Sequence, residues 1–289
     1  MSAAESADDI DLSPFDESLL LHATAPGVYE RVIDTTWWGW NGQFGGYVLA
    51  LALEAVRRHN PDPALSERSL TLHFLRRLPE GACRIEVTTE RQGRTAATFS
   101  IRMFVEDRLC VAGLALFGSD RRNEEFQHAP VPSLDPPVGE PSPVPLPGEA
   151  LDQLDVWPGE AMRFPMPDPP EAVGGWMRLR NGGRADERFC VLAADAYPPA
   201  FLFHHSRPAI GGTLEFTAQF RTPPPDRVVS GEEPVRLVLR VKASVAGYID
   251  EDCEIWSADG RLLLQSRQLR YNELSDDAPV KTTAAEVYP

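Results

Sequence analysis

The stretch NGQFGGYVLALALEAVRRHN, residues 41–60, limits the fold more than any other. Gly45 and Gly46 open a run of about 13 residues without a helix breaker. Leu49, Leu51, Ala52, Leu53 and Val56 make that run apolar nearly all round. Such a helix cannot lie on a surface and must be enclosed on most sides. The material to enclose it follows directly. SLTLHFLRR, CRIEVTTERQ, GRTAATFSIRMFVED and RLCVAGLALF are short, rich in Val, Thr, Ile and Phe, and separated by turns, as antiparallel strands are. The expected unit is a sheet wrapped around one helix.

The C-terminal half repeats this order. GGWMRLRN reads as a strand, and ERFCVLAADAYPPAFLF as an apolar helix that bends or stops near Pro198-Pro199. GTLEFTAQFRT, VRLVLRVKASVAGY, DEDCEIWSADG and RLLLQSRQLRYNE read as strands. A weak internal match accompanies the repeat: LTLHFLRRLP (70–79) lies over FTAQFRTPPP (216–225), and EDRLCVAGLALF (106–117) over ADGRLLLQSRQLR (258–270) with one gap. The repeated order of elements is the stronger signal. Two such halves either continue one sheet or pack side by side. Ahead of the first helix, Ser13 is a candidate N-cap for a short helix opening at Pro14.

Between the halves lies a proline-rich segment holding a large share of the 27 prolines. It reads as a linker or a strap, and Leu151, Leu154, Val156, Trp157 and Phe164 favour a strap that packs on the surface. The expected division is 1–126, a Pro-rich 127–172, 173–275, and a tail 276–289. The net charge of −15 repels nucleic acid and anionic membranes. The four cysteines form no CxxC pair and read as reduced, buried thiols. The N-terminus lacks the features of a secretion signal, and no run is long enough to span a bilayer. A cytoplasmic protein is expected. GxSxG, P-loop and HExxH spacings are absent, and neither cofactor nor metal is expected.

A helix apolar all round beside antiparallel strands, twice, is the α+β tandem (double) hotdog architecture. WNGQFGGYVLALALEAV resembles the helix entrance of acyl-CoA thioesterases, and LHFLRRLP their next strand. The second half resembles the C-terminal repeat of the acyl-CoA thioesterase II family. The resemblance covers roughly residues 10–125 and 173–272 and leaves out the proline-rich middle. It implies hydrolysis of acyl-CoA in lipid metabolism, by a water held between an aspartate, a threonine and a glutamine. Those positions match Asp195, Thr213 and Gln268. The same resemblance disfavours a hotdog hydratase, whose histidine would stand at Ala200.

The residues themselves support the three positions unequally. Alternation puts Leu262, Leu264, Ser266 and Gln268 on one strand face, and Gln268 falls opposite Ala115 in the repeat comparison. A strand end turning polar explains Gln268 as well. Asp195 sits among Ala193, Ala194 and Ala196, where a carboxylate needs donors or a use; the competing reading is an exposed helix edge. Thr213 alternates with Glu215, Thr217 and Gln219 on what looks like the polar face, unless a bulge near Gly211-Gly212 re-aims it. Gly45 and Gly46 are candidate oxyanion donors at a helix start. Arg76 and Arg94, with Arg77, Arg91 and Arg221, are candidates for the phosphates of coenzyme A. Trp37, Trp38 and Trp40 either border an acyl tunnel or fill the core. The six histidines read as packing or surface residues. A homo-oligomer, a dimer of double hotdogs, is expected. The alternative function is a non-catalytic acyl- or aromatic-ligand-binding protein on the same scaffold.

Overall fold

The computed structural model describes residues 12–40, 42–160, 166, 168–183, 185–204, 209–221 and 233–274. Phe164, His205 and the tail 276–289 lie outside the described residues. The short first helix α1 (Pro14–Ser18) is capped by Ser13, which accepts from the Asp16 N–H. Strands β1 (His22–Ala25) and β2 (Val28–Ile33) precede helix α2 (Gly45–His59), whose residues Gly46 to Leu53 are all buried. Strands β3 (Ser66–Phe74), β4 (Gly81–Gln92), β5 (Ala96–Val105) and β6 (Arg108–Gly118) complete the first half.

The second half begins with β7 (Leu154–Pro158) and β8 (Ala172–Leu179), followed by helix α3 (Glu187–Ala196). As expected, the helix stops before Pro198-Pro199, and a 3-10 turn follows over Ala200–Phe203. Then come β9 (Ala209–Phe220), β10 (Val235–Arg240), the two-residue β11 (Ser244–Val245), β12 (Tyr248–Trp256) and β13 (Leu262–Leu274).

The strands form one continuous antiparallel sheet in the order β1-β2-β4-β5-β6-β3-β9-β13-β12-β10-β8-β7, with β11 paired to β12. The order reads alike from both ends: β3 answers β9, β6 answers β13, β5 answers β12. The halves therefore continue one sheet, joined where β3 pairs with β9. At that seam Thr71 pairs with Thr217, their hydroxyls 3.0 Å apart. These residues are equivalent in the internal alignment of 70–79 with 216–225, so the pseudo-twofold axis passes between them. The alignment survives one strand further out: Leu70 pairs with Ala115, and Phe216 with Gln268. Gln268 is thus the counterpart of Ala115.

Part of the proline-rich segment packs on the first half. Val144, Leu146 and Leu151 pack against the core, and the Ala150 N–H donates to the Trp38 carbonyl at 3.1 Å. Leu154 and Val156 are buried within β7, which forms the edge of the sheet and ends at a proline, where a missing ladder donor is harmless. All four cysteines are buried free thiols. Among the described residues, no helix is long and apolar enough to cross a membrane.

Helices α2 and α3 lie against each other inside the sheet. Gly46 permits this: a Cβ there would fall 2.6 Å from the Leu192 carbonyl oxygen and 2.9 Å from its Cα. At the other end, Arg57 of α2 bonds Glu67, Glu187 and Asp186, the last at 2.9 Å. Arg188 of α3 reaches Asp186 at 2.8 Å, Asp16 at 2.8 Å and Glu54 at 3.2 Å. The start of α2 is thereby set beside the end of α3.

Candidate active site

The closing end of α3 meets the opening end of α2 over a cavity of about 360 Å³. Asp195, Thr213 and Arg270 line it, together with Gly45, Phe44, Trp38 and Trp40. Leu146, Pro147, Ala150 and Leu151 of the proline-rich segment form part of its wall. Trp37 does not border it; its ring is buried and stacks on Tyr47, 5.6 Å between centroids.

Asp195 points inward, with its side chain only 7% exposed. Its Oδ1 accepts from Arg270 Nη2 at 2.9 Å. Its Oδ2 lies 2.6 Å from where a Cβ on Gly45 would stand, so residue 45 has to be glycine for the carboxylate to approach the helix start. The Gly46 N–H stands near enough to favour the ionised form of the same carboxylate. Phe44, the N-cap of α2, offers no side-chain cap, and the Asp195 carboxylate of the other half stands beside that positive helix start. Burial pushes the Asp195 carboxyl above the ordinary aspartate range; Arg270, the Gln268 amide and the Gly46 N–H pull it back, and burial wins.

Gln268 is buried on the inward face of β13, as alternation predicts. Its Oε1 accepts from the Thr213 hydroxyl at 3.0 Å, and its Nε2 donates to Glu251 Oε1 at 3.0 Å. Thr213 reaches this face through a bulge. The β9–β13 register runs Glu215 with Leu269, then Thr213 with Arg270, leaving Leu214 as the extra residue. Thr213 and Leu214 both line the cavity, which strict alternation forbids. The bulge expected near Gly211-Gly212 thus falls at Leu214.

Other expected residues are placed differently. Gly45, at the start of α2, lines the cavity, whereas Gly46, the next residue, does not border it. Arg76 lines the cavity, as does Arg77. Arg94 stands exposed in the turn between β4 and β5, at the end of the sheet where Ala96 pairs with Gly118. The cavity opens beside the opposite end of β3, at Phe74. Arg221 neighbours that remote turn as well. Neither is brought to the site.

Two residues of the site escaped the sequence reading. Glu251 is fully buried on β12, and Arg270 follows Gln268 on the same face of β13. The signal was available. Ile249, Glu251, Cys253 and Ile255 alternate on one buried face, so the same period that exposed Gln268 puts an acid among apolar residues.

A sheet of two matching halves, each wrapped on a buried helix, with a cavity and a polar cluster where the start of α2 meets the end of α3, is a double hotdog of α+β class. The comparisons agree. A family model described as the acyl-CoA thioesterase N-terminal domain matches residues 34–118, and one described as the C-terminal domain matches 128–271. The chain belongs to the acyl-CoA thioesterase family. The C-terminal match takes in the proline-rich segment, which the sequence resemblance had left out. Among solved structures, a hot dog fold protein from Alicyclobacillus acidocaldarius aligns with TM-score 0.82 at 23% identity, covering 90% of this chain and 98% of its own. A putative thioesterase II from Thermobifida fusca aligns at 0.75 with 24% identity, covering 91% and 99%. An acyl-CoA thioesterase II from Mycobacterium marinum aligns at 0.68 with 17% identity, covering 91% and 98%. These likenesses establish the fold. No curated protein matches the chain.

Proposed function

We propose that the chain hydrolyses acyl-CoA thioesters, with Asp195 as general base and Gln268 and Thr213 positioning the attacking water. The observation that carries this reading is that Asp195 of α3 and Thr213 from a bulge in β9 line one cavity, with Gln268 of β13 hydrogen-bonded to Thr213 behind its wall. In the reaction a water oxygen attacks the thioester carbonyl while its proton passes to the Asp195 carboxylate. The resulting tetrahedral oxyanion collapses, the C–S bond breaks, and free acid and coenzyme A leave. Asp195 suits the first step because burial makes it a stronger base than a solvated aspartate. The leaving thiolate needs little acid assistance, since a thiol pKa is about 8.5. Phe44 and Gly45 bring the positive end of α2 to the cavity, beside the charge that develops. Arg76 and Arg77 at the cavity wall are suited to the phosphates of coenzyme A.

The proposed site draws on both halves, with the start of α2 from the first and the polar side chains from the second, where Gln268 stands at the position that Ala115 holds in the first. The test is release of free thiol from acyl-CoAs of graded chain length. Wild type releases it; Asp195→Asn loses roughly 10²–10⁴ of the rate with the fold retained. Acyl-CoA binding with no thiol release from wild type would instead make the chain a ligand-binding protein. An unaltered rate in Asp195→Asn would remove that carboxylate from the chemistry.

A further inference from the structure

Asp195 is one of two acids that share a single buried cation. Arg270 donates from Nη2 to Asp195 Oδ1 at 2.9 Å and from Nε to Glu251 Oε1 at 3.2 Å. Its side chain is 11% exposed, and Glu251 is fully buried. Glu251 is held on both oxygens: Oε1 also accepts from Gln268 Nε2 at 3.0 Å, and Oε2 from the Ala200 N–H at 2.7 Å. Ala200 opens the 3-10 turn that Pro198-Pro199 forces after α3, so the helix break itself supplies a donor to this carboxylate.

The geometry points to Glu251 and Arg270 as a positioning pair for the proposed hydrolysis, with Glu251 orienting the Gln268 amide and drawing Arg270 away from Asp195. This rests on the reading of Asp195 as general base. The first half of the argument is donor and acceptor logic. An ionised carboxylate only accepts, so Gln268 must present its NH₂ to Glu251, and its carbonyl is left for the Thr213 hydroxyl. Without Glu251 the amide loses the 3.0 Å acceptor on its NH₂ and keeps on its Oε1 only the Thr213 hydroxyl, which can donate or accept.

The second half is charge. Two carboxylates and one guanidinium cannot all be paired. A cation given wholly to Asp195 would hold it ionised but weaken it as a base. Glu251 takes part of that cation and adds a like charge nearby, and both effects make Asp195 more basic. The groups facing Asp195 are Arg270 and Gln268 of β13, the Gly46 N–H of α2, and Glu251 of β12; Thr213 of β9 reaches it through Gln268. The buried Cys253 thiol of β12 lies within reach of both acids, and its burial keeps it protonated. Burial also raises the Glu251 carboxyl, with Arg270 opposing and Asp195 reinforcing.

The pH profile of kcat/KM tests the pair, because its acid limb follows ionisation of the base in the free enzyme. Arg270→Met removes the cation and shifts the limb to higher pH by one unit or more, in the range of about 1–3 units for an opposite charge at this distance. Glu251→Gln removes the like charge, frees Arg270 for Asp195 and shifts the limb to lower pH. The double variant removes one acid and one base and returns the limb toward wild type. Should Arg270→Met fail to fold, Arg270→Lys keeps the charge without the two-pronged geometry; its limb stays near wild type while kcat falls. Opposite displacements support the pair. Limbs that stay put while kcat falls in both single variants, or that move the same way, overturn it. Titration of Asp195 by carboxyl ¹³C NMR, assigned with Asp195→Asn, reads the same displacements without any substrate. A wild type inactive on every acyl-CoA would therefore remove the thioesterase reading while the pair is still decided.

Discussion

Two buried aspartates stand at opposite ends of α3, and their surroundings drive them in opposite directions. Asp186 caps the helix, accepting from the Arg188 and Phe189 N–H groups, and bonds both Arg57 and Arg188. Its pKa is held below the ordinary range in spite of burial. Asp195 has one arginine, shared with another acid, and burial carries its pKa upward. Residue type, burial and helix are common to both. What differs is the supply of positive charge. Burial alone makes neither a base nor an anchor; the donors that each carboxylate itself touches, two arginines and a helix start for Asp186 against one arginine for Asp195, decide which it becomes.

The contrast predicts that the two aspartates separate function from stability. Asp195→Asn abolishes most turnover, a loss of about 10²–10⁴. It leaves Arg270 paired with Glu251 alone, a balanced pair, so urea unfolding at pH 8 should find the variant as stable as wild type or more so by about 1 kcal/mol. Asp186→Asn does the reverse. Asparagine still caps, so the change isolates the charge, and unfolding should show a loss of about 2 kcal/mol from two bonds to arginine, with the limb of the pH profile unmoved. If Asp195→Asn proves the less stable of the two, the contrast is broken.

The same pair differs in the sign of its pH dependence. Asp186 has a lowered folded pKa, so its contribution is present above the unfolded value of about 3.9 and disappears as pH falls through the lower folded value. Asp195 has a raised one. It favours folding fully below the unfolded value, and that advantage is lost as pH rises through the folded value. The stability of Asp195→Asn relative to wild type should therefore climb from pH 4 to pH 8, whereas that of Asp186→Asn falls over the lower part of this range and then levels. Chemical denaturation across that range measures both curves; parallel curves would mean that the two carboxyls are not distinguished by the fold.

Much of this molecule was legible from period alone. The strands around each helix, the helix stop at Pro198-Pro199 and the inward face of Gln268 all follow from alternation and proline geometry. The register makes Gln268 the counterpart of Ala115, as the internal repeat implied. Thr213 was not legible, because a bulge at Leu214 breaks the period on which the reading depends. Glu251 and Arg270 obeyed the period and were passed over, since YIDEDCEIW and SRQLR look like solvated strands by composition. Arg94 shows the converse: a cation at a strand end carries no mark of which end of the sheet it will occupy. The apolar residues of the proline-rich segment pointed to packing, but that it walls the cavity depends on the Ala150–Trp38 contact, far apart in sequence.

The smallest expected effect tests the bulge. Thr213 makes one hydrogen bond to Gln268, and Glu251 already fixes the other end of that amide. Thr213→Val keeps the branched shape and removes the donor. The cost is that of one hydrogen bond to a buried neutral group, about 1 kcal/mol, or roughly fivefold in kcat/KM. Thr213→Ser restores the hydroxyl and should restore most of the rate. Because Asp195 keeps all its own partners, the acid limb of the profile stays where it is in both variants. A Thr213→Val enzyme with the loss of Asp195→Asn would mean that the hydroxyl's hold on the reacting water counts for far more than its bond to Gln268. Wild-type activity would mean that Glu251 alone is enough to hold the amide.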